Sequence, residues 1–166
     1  MDIALKSFLL AQMSRFILIL TLGLLSLPAV FLAASVFGGA ALRIPGLLLV
    51  ALYAWVWLRF RPTRFVIHPG DIEVIWPLKR RRIPRASIAD VRVMSKEALR
   101  REIGWGMRVG AGGLWGGFGW LWTKRRGIVQ MYVSRTDGFV WIERGNDRPW
   151  LITPETPEAF VRAWSH

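Results

Sequence analysis

Two long apolar stretches dominate the first third of the chain. Residues 16–42 run for 27 residues without a charge, and residues 44–58 run for 15 more, with only Arg43 between them. A helix needs about 20 mostly apolar residues to cross a hydrocarbon core about 30 Å thick. The pattern therefore predicts two transmembrane helices, at about residues 16–38 and 44–60. The turn between them is expected to contain Gly38, Gly39, Arg43, Pro45 and Gly46.

Basic residues near the ends of these stretches indicate how the helix pair is oriented. They are Lys6 and Arg15 before the first stretch, Arg43 in the turn, and Arg59, Arg61 and Arg64 after the second. Because Lys and Arg concentrate in cytoplasmic segments, both chain termini are expected on the cytoplasmic side. The alternative is that the first stretch is a cleaved signal peptide. In that case the second stretch would stop transfer and still leave the remainder in the cytoplasm.

From residue 62 onward, short runs with the two-residue alternation of β strands replace the continuous apolar stretches. These runs are residues 64–68, 72–76, 80–83, 88–94, 128–134, 139–143 and 150–153. The last residues favour a helix whose apolar face is formed by Phe160, Val161 and Trp164. The sequence thus predicts an N-terminal segment with two helices, residues 1–61, and a β domain, residues 62–166. About seven strands closed by a C-terminal helix are the plan of a pleckstrin-homology-like (PH-like) barrel, although other small barrels also fit the strand pattern.

Four segments of the β domain carry a more specific pattern. They are residues 65–74 (FVIHPGDIEV), Arg82-Ile83-Pro84 with Ile88, the glycine-rich residues 103–106 and 116–119, and residues 151–161 (LITPETPEAFV). Together they resemble the bacterial PH-domain (bPH) membrane proteins that have a short N-terminal transmembrane hairpin. The resemblance implies a membrane α-hairpin followed by an all-β PH-like barrel, in the inner membrane of a bacterium. It implies no particular activity.

The composition limits the chemistry that this chain can perform. Residues 59–126 hold sixteen basic and five acidic residues, so +11 of the formal net charge of +12 lies there. The chain has no cysteine, which excludes thiol nucleophiles, disulfides and Cys-ligated metals. Its two histidines, His68 and His166, are distant in sequence, and its eleven acidic residues are scattered. We therefore expect no enzyme, no cofactor and no metal site.

The segment that follows the fourth predicted strand is unusually rich in glycine and tryptophan. Eight of the sixteen residues from 104 to 119 are glycine, and tryptophans occur at 105, 115, 120 and 122. One interpretation is a surface loop that touches lipid headgroups, since tryptophan prefers the membrane interface. The alternatives are tryptophans that fill the core beside glycines that permit strand bends, or a phosphate cradle. We expect Trp120 to be a core residue and Trp115 to be a contact residue.

Basic residues cluster around two parts of the predicted domain. Lys79, Arg80, Arg81, Arg82 and Arg85 surround the third predicted strand, where alternation prevents them all from converging on one ligand. A solvated edge facing the membrane is favoured over a pocket for a phosphorylated headgroup, and tethering to a bilayer argues against nucleic acid. The candidate membrane or ligand contacts are Lys79, Arg80, Arg81, Arg82, Arg85, Arg100, Arg101, Trp105, Arg108, Trp115, Lys124, Arg125 and Arg126.

These features predict a binding protein. Its expected role is that of a non-enzymatic, membrane-anchored PH-like module that contacts the anionic leaflet or a membrane-associated protein. One alternative is an oligomeric structural or assembly subunit, for which small residues such as Gly23 and Ala33 would allow close helix packing. The resemblance to bPH proteins implies a further alternative, a bacteriocin-immunity-like protein. The expected partners are membrane lipids, with a protein partner or a second copy as alternatives.

Overall fold

The computed structural model describes residues 6–165. His166, the last residue of the predicted β domain, lies outside this range. The described helices are α1 (Arg15–Gly38), α2 (Arg43–Arg59), α3 (Lys96–Ile103) and α4 (Pro157–Ser165). The described strands are β1 (Lys6–Leu9), β2 (Arg64–Ile67), β3 (Asp71–Ile75), β4 (Arg80–Pro84), β5 (Ile88–Met94), β6 (Gly106–Gly112), β7 (Gly117–Thr123), β8 (Gly127–Val133), β9 (Phe139–Arg144) and β10 (Trp150–Ile152).

The strands form two sheets. One has the order β1-β2-β3-β4 and the other the order β5-β9-β10-β8-β7-β6. All seven predicted strands are present, and three more occur, because β1, β6 and β7 were not expected. Strand pairing among the described residues does not join the two sheets into a closed barrel. The predicted barrel is therefore corrected to two sheets with a C-terminal helix.

The helix pair is inserted between two neighbouring strands of one sheet. Strand β1 pairs antiparallel with β2, with Phe8 opposite Phe65, and α1 and α2 occupy the connection between these strands. Residues after β1 are also tied to the domain, since the Ala11 N–H donates to Thr153 O at 2.9 Å. The predicted division put residues 1–61 outside the β domain, but this segment supplies the edge strand β1.

Helices α1 and α2 pack against each other. The Tyr53 hydroxyl donates to Leu24 O at 3.0 Å, and Gly46 lies so close to Leu32 that an added Cβ would be 2.9 Å from its side chain. The connection is a single 3-10 turn, Ala40–Leu42, so Arg43, Pro45 and Gly46 begin α2 instead of forming the turn. Most side chains of both helices are exposed. Two segments are long and apolar enough to cross a membrane, namely α1 and the 20 residues Ala40–Arg59, which join the 3-10 turn to α2.

The core has two parts, and the terminal helix closes the first. Phe160 is fully buried and packs edge-to-face on Phe8 and Phe65, with ring centroids 5.2 and 6.3 Å away. Trp164, one turn later, is also buried, so the expected apolar face of this helix is confirmed. The second part contains Leu121 and Met131 and lies beneath α3.

Residues 96–126, for which a surface loop was one interpretation, are a helix followed by a β-hairpin. The Ser95 hydroxyl accepts from Ala98 N–H at 3.1 Å and starts α3, which buries Leu99 and Ile103. Beyond it, β6 pairs with β7 along its whole length, and Gly110 lies opposite Gly119. Both of these glycines have positive φ, and a Cβ on Gly110 would lie 2.5 Å from Phe118 O. Only glycine fits this close approach, so the hairpin bends here.

Candidate functional site

The β6–β7 hairpin presents an apolar face outward. Met107 pairs with Trp122 and Val109 with Trp120, and all four are between 44% and 56% exposed. Leu121, on the opposite face of β7, is buried. We call Met107, Val109, Trp120 and Trp122 the outer hairpin face.

Trp120 is 48% exposed, so the expectation that it is a core residue was wrong. Phe118 and Trp120 are two residues apart and share a face of β7, where they pair with Tyr132 and Gln130 of β8. Phe118 and Tyr132 belong to the first part of the core, whereas Trp120 lies further along the strand, outside that core. The Trp120 indole N–H donates to Gln130 Oε1 at 3.1 Å, which holds the ring on the outside of the sheet.

The tip of the hairpin is attached to the helix pair. The Thr21 hydroxyl of α1 donates to Gly113 O at 3.1 Å and accepts from the Trp115 N–H at 2.9 Å. The Trp115 ring packs edge-to-face on Trp57 of α2, with centroids 4.7 Å apart. Trp115 has a φ of 60°, an uncommon conformation for a residue other than glycine. The expected free contact residue Trp115 is therefore half-buried against the helices.

Basic residues that are distant in sequence meet at the other end of this hairpin. The Arg125 guanidinium donates to Arg101 O at 2.7 Å, and the Lys124 N–H donates to Trp105 O at 2.9 Å. The end of α3, the start of β6 and the β7–β8 turn thus form one basic surface. Its predicted members are Arg100, Arg101, Trp105, Lys124, Arg125 and Arg126.

Members of this basic surface differ in how far their charge is already paired. Arg126 forms ion pairs with Glu102 and, at 3.2 Å, with Glu143, so its charge is partly compensated. Trp105 is 70% exposed beside these cations. Arg108 lies one strand position from the outer hairpin face but on the opposite side, opposite Leu121.

The second predicted group, around β4, does not converge. Arg81 lies over the Trp150 ring and Arg85 over the Trp164 ring, at 5.0 and 4.3 Å from the centroids. Arg82 lies 3.5 Å from the Glu73 carboxylate on the other face, while Arg80 is exposed. These contacts agree with the expectation that alternation separates the side chains of this run.

The β3–β4 turn lies against the end of α2. The Trp76 indole N–H donates to Phe60 O at 3.0 Å, and Lys79 stacks on the Trp76 ring at 4.4 Å. Burial, followed by the positive charges of Arg59 and Arg81, lowers the pKa of Lys79. Arg61 stacks on Trp57 at 4.3 Å. The basic residues after α2 and the start of β4 therefore share one region.

Glu73 of β3 has a buried side chain. It lies 3.2 Å from His68 Nε2 and 3.5 Å from Arg82 Nε, and the arginine compensates its charge. Within the described residues, no group of three His, Asp or Glu side chains could hold a metal ion.

Sequence reasoning missed several residues of these surfaces. Thr21 and Trp57 lie inside apolar helices, where no local pattern marks them as hairpin contacts. Met107 and Val109 did carry a signal, since they alternate with Arg108, as Trp120 and Trp122 alternate with Leu121.

Two sheets packed around the first part of the core, with a C-terminal helix closing it, define a PH-like β domain. A family model for the bacterial PH domain matches residues 63–166. The match covers more than half of the chain, which therefore belongs to the bacterial PH domain family. Searches of curated proteins and of solved structures each returned no match. A domain of this class suggests a binding module.

Proposed function

We propose that this protein is a membrane-anchored binding module whose PH-like domain rests on the anionic leaflet of the bacterial inner membrane. Helices α1 and α2 would be the anchor. Their exposed apolar side chains, such as Phe37 at 93% and Ile44 at 65%, argue against a role as core helices of a soluble domain. Lipid would cover these side chains.

The insertion of the helices between β1 and β2 supports a hairpin across the bilayer. Because β1 and β2 pair directly, the start of α1 and the end of α2 must lie on the same side of any membrane they cross. This argument is independent of the distribution of basic residues. A cleaved signal peptide is disfavoured, since cleavage after α1 would remove β1 from its sheet.

The outer hairpin face is the observation that carries the proposal. Its aromatic and aliphatic side chains are exposed although the hairpin tip is attached to α1 at Thr21, six residues after the helix begins. A helix rises about 1.5 Å per residue, so the tip reaches about 9 Å along α1. If α1 enters the leaflet at Arg15, the outer hairpin face lies at the headgroup and acyl boundary, where tryptophan is favoured.

The basic surface beside this hairpin supplies the matching charge. Each Lys or Arg close to an anionic leaflet contributes on the order of 1 kcal/mol. Arg100, Arg101, Lys124 and Arg125 are exposed and lie on the same end of the six-stranded sheet as Trp105. Aromatic insertion and headgroup attraction would therefore act together.

Depth measurements on single spin labels test the proposal. The chain has no cysteine, so Val109→Cys and, as the matched control, Asn146→Cys in the β9–β10 turn each provide one labelling site. The full chain is placed in nanodiscs of phosphatidylglycerol and phosphatidylcholine. The label at 109 should collide more often with lipid-soluble oxygen than with a water-soluble nickel complex, and the label at 146 should do the opposite.

Equal access of the nickel complex to both labels would contradict leaflet contact. A label at 109 that is shielded from oxygen and from nickel alike would instead favour a protein partner or self-association. Replacing phosphatidylglycerol by phosphatidylcholine should reduce the oxygen contact at 109, because the attraction of the basic surface is then lost.

A further inference from the structure

A cavity of about 420 Å³ lies between the start of α1, α3, β6 and the segment after β8. Its floor is apolar and belongs to the second part of the core. The floor residues include Leu99, Ile103, Leu121, Met131, Val133 and Phe139. A volume of this size falls in the range of small-molecule sites, roughly 300 to 1,000 Å³.

Four cationic side chains from three parts of the fold surround this apolar floor. They are Lys96 and Arg100 on α3, Arg108 on β6, and Arg135 after β8. None of the described residues that line the cavity is acidic. Arg135 is partly compensated by Asp137 at 3.5 Å, whereas no described carboxylate lies within 4 Å of Lys96, Arg100 or Arg108.

The β-hairpin explains how Arg108 faces the cavity. Arg108 pairs with Leu121 and shares the inner face of the hairpin with Gly117, since its guanidinium lies 3.7 Å from the position that a Cβ on Gly117 would occupy. The register of the hairpin thus places Arg108 on the face that lines the cavity.

The location of the cavity indicates where a ligand would come from. Phe16 and Ile17, in the first turn of α1, form one wall. Under the proposed function, on which this inference rests, α1 enters the leaflet at this turn, so the cavity opens at the level of the lipid headgroups.

We propose that this cavity binds one anionic amphiphile, with its acidic head among Lys96, Arg100, Arg108 and Arg135 and an acyl chain over Leu99, Ile103 and Leu121. A purely ionic ligand would leave the apolar floor uncovered. A zwitterionic head would bring its own positive charge close to the cationic side chains, so an anionic head fits better. A phospholipid and a free fatty acid share this chemistry. The ligand would be held in the domain itself, apart from the leaflet contact of the outer hairpin face.

Native mass spectrometry of the full chain, released from uncharged detergent micelles, tests this site. The chain should retain one phosphatidylglycerol and no phosphatidylcholine. The double variant Arg100→Gln/Arg108→Gln should lower phosphatidylglycerol retention at least tenfold. The control Arg148→Gln/Arg162→Gln removes the same charge from exposed positions outside the cavity and should retain the lipid.

Further arms identify the source of the amphiphile. Retention of palmitate in place of phosphatidylglycerol would support the site and identify a fatty acid as its ligand. Displacement of the lipid by an equal concentration of inorganic phosphate would overturn the proposal, since the acyl chain would then contribute nothing. Retention of the lipid by the Arg100→Gln/Arg108→Gln variant would overturn it as well.

The lipid count tests the cavity and the depth measurement tests the leaflet contact, so either proposal can be rejected without the other. Micelles contain no leaflet, so lipid retention reports on the cavity alone. A spin label at 109 that is immersed in lipid, together with an unchanged lipid count in the double variant, would reject the cavity and keep the leaflet contact. A water-exposed label at 109 would reject the leaflet contact.

Discussion

At the scale of single residues, the Thr21 hydroxyl has the most specific role in joining the helices to the β domain. It accepts from the Trp115 N–H and donates to Gly113 O, so it satisfies two backbone groups at the hairpin tip. Thr21 is 2% exposed. A buried backbone group that loses its partner costs about 1 to 3 kcal/mol.

Replacing this hydroxyl should release the hairpin tip. We expect Thr21→Val, which keeps the shape of the side chain, to weaken tip attachment by about 1 to 3 kcal/mol, whereas Thr21→Ser should keep both hydrogen bonds. Hydrogen exchange at the Trp115 amide in detergent micelles measures this difference. Equal protection in the Val and Ser variants would show that the hydroxyl does not hold the tip.

Tyr132 gives the domain a dependence on alkaline pH. Burial raises the pKa of Tyr132 to about 12, while Gln130 Nε2 donates to its hydroxyl at 2.8 Å. Between pH 10 and 12 the unfolded chain loses this proton and the folded chain keeps it, so the free energy of unfolding falls as pH rises. The loss should reach about 2 to 3 kcal/mol. Below pH 10 this contribution is fully present.

Comparison with Tyr132→Phe isolates this effect from the titration of Lys and Arg. The difference in free energy of unfolding between the two proteins should be constant below pH 10. Between pH 10 and 12 the protein with Tyr132 should lose stability relative to the Tyr132→Phe variant. Urea unfolding at several pH values measures it. Parallel pH profiles would show that the Tyr132 phenol is not shifted.

At the scale of elements, the paired glycines Gly110 and Gly119 set the shape of the β6–β7 hairpin. We expect Gly110→Ala to destabilise it by roughly 1 to 3 kcal/mol, because the new Cβ meets Phe118 O and the φ of +134° is strained for alanine. Gly112→Ala is the matched control, since nothing lies within 4 Å of its Cβ. Thermal unfolding measures the difference, and an unfolding temperature that falls equally in both variants would contradict this role of Gly110.

The elements that were predicted from the sequence have local sequence patterns, whereas strand β1 depends on contacts with residues that are distant in the sequence. The seven predicted strands and α4 follow from local alternation and from the spacing of Phe160 and Trp164. Strand β1 has four residues, and its partner β2 lies beyond two helices, so its pairing is encoded only in long-range contacts.

The hairpin was missed for a different reason. Glycine at half of the positions from 104 to 119 removes the side chains whose alternation marks a strand. The helix α3 carried ordinary signals, a Ser95 cap and apolar Leu99 and Ile103 four residues apart. Of the candidate site, the basic residues around β7 and α3 were foreseen by composition, but the cavity they surround depends on the packing of four separate elements.

At the scale of the whole molecule, one topological feature connects the fold to the proposed function. The helix pair leaves the four-stranded sheet after β1 and returns to it at β2, so the β domain and both ends of the helix pair form one unit. The hairpin tip contacts both helices, at Thr21 of α1 and Trp57 of α2, and the first turn of α1 forms one wall of the cavity. The central claim is that this helix pair crosses the bilayer and holds the domain on its cytoplasmic face.

Thiol labelling in spheroplasts tests this claim most directly. Two single-cysteine variants of the full chain are compared, Ala40→Cys in the turn between α1 and α2 and Asn146→Cys in the β domain, both at exposed positions. A membrane-impermeant maleimide should label residue 40 in intact spheroplasts and residue 146 only after lysis. Labelling of residue 146 from outside, or protection of residue 40 until lysis, would contradict the account.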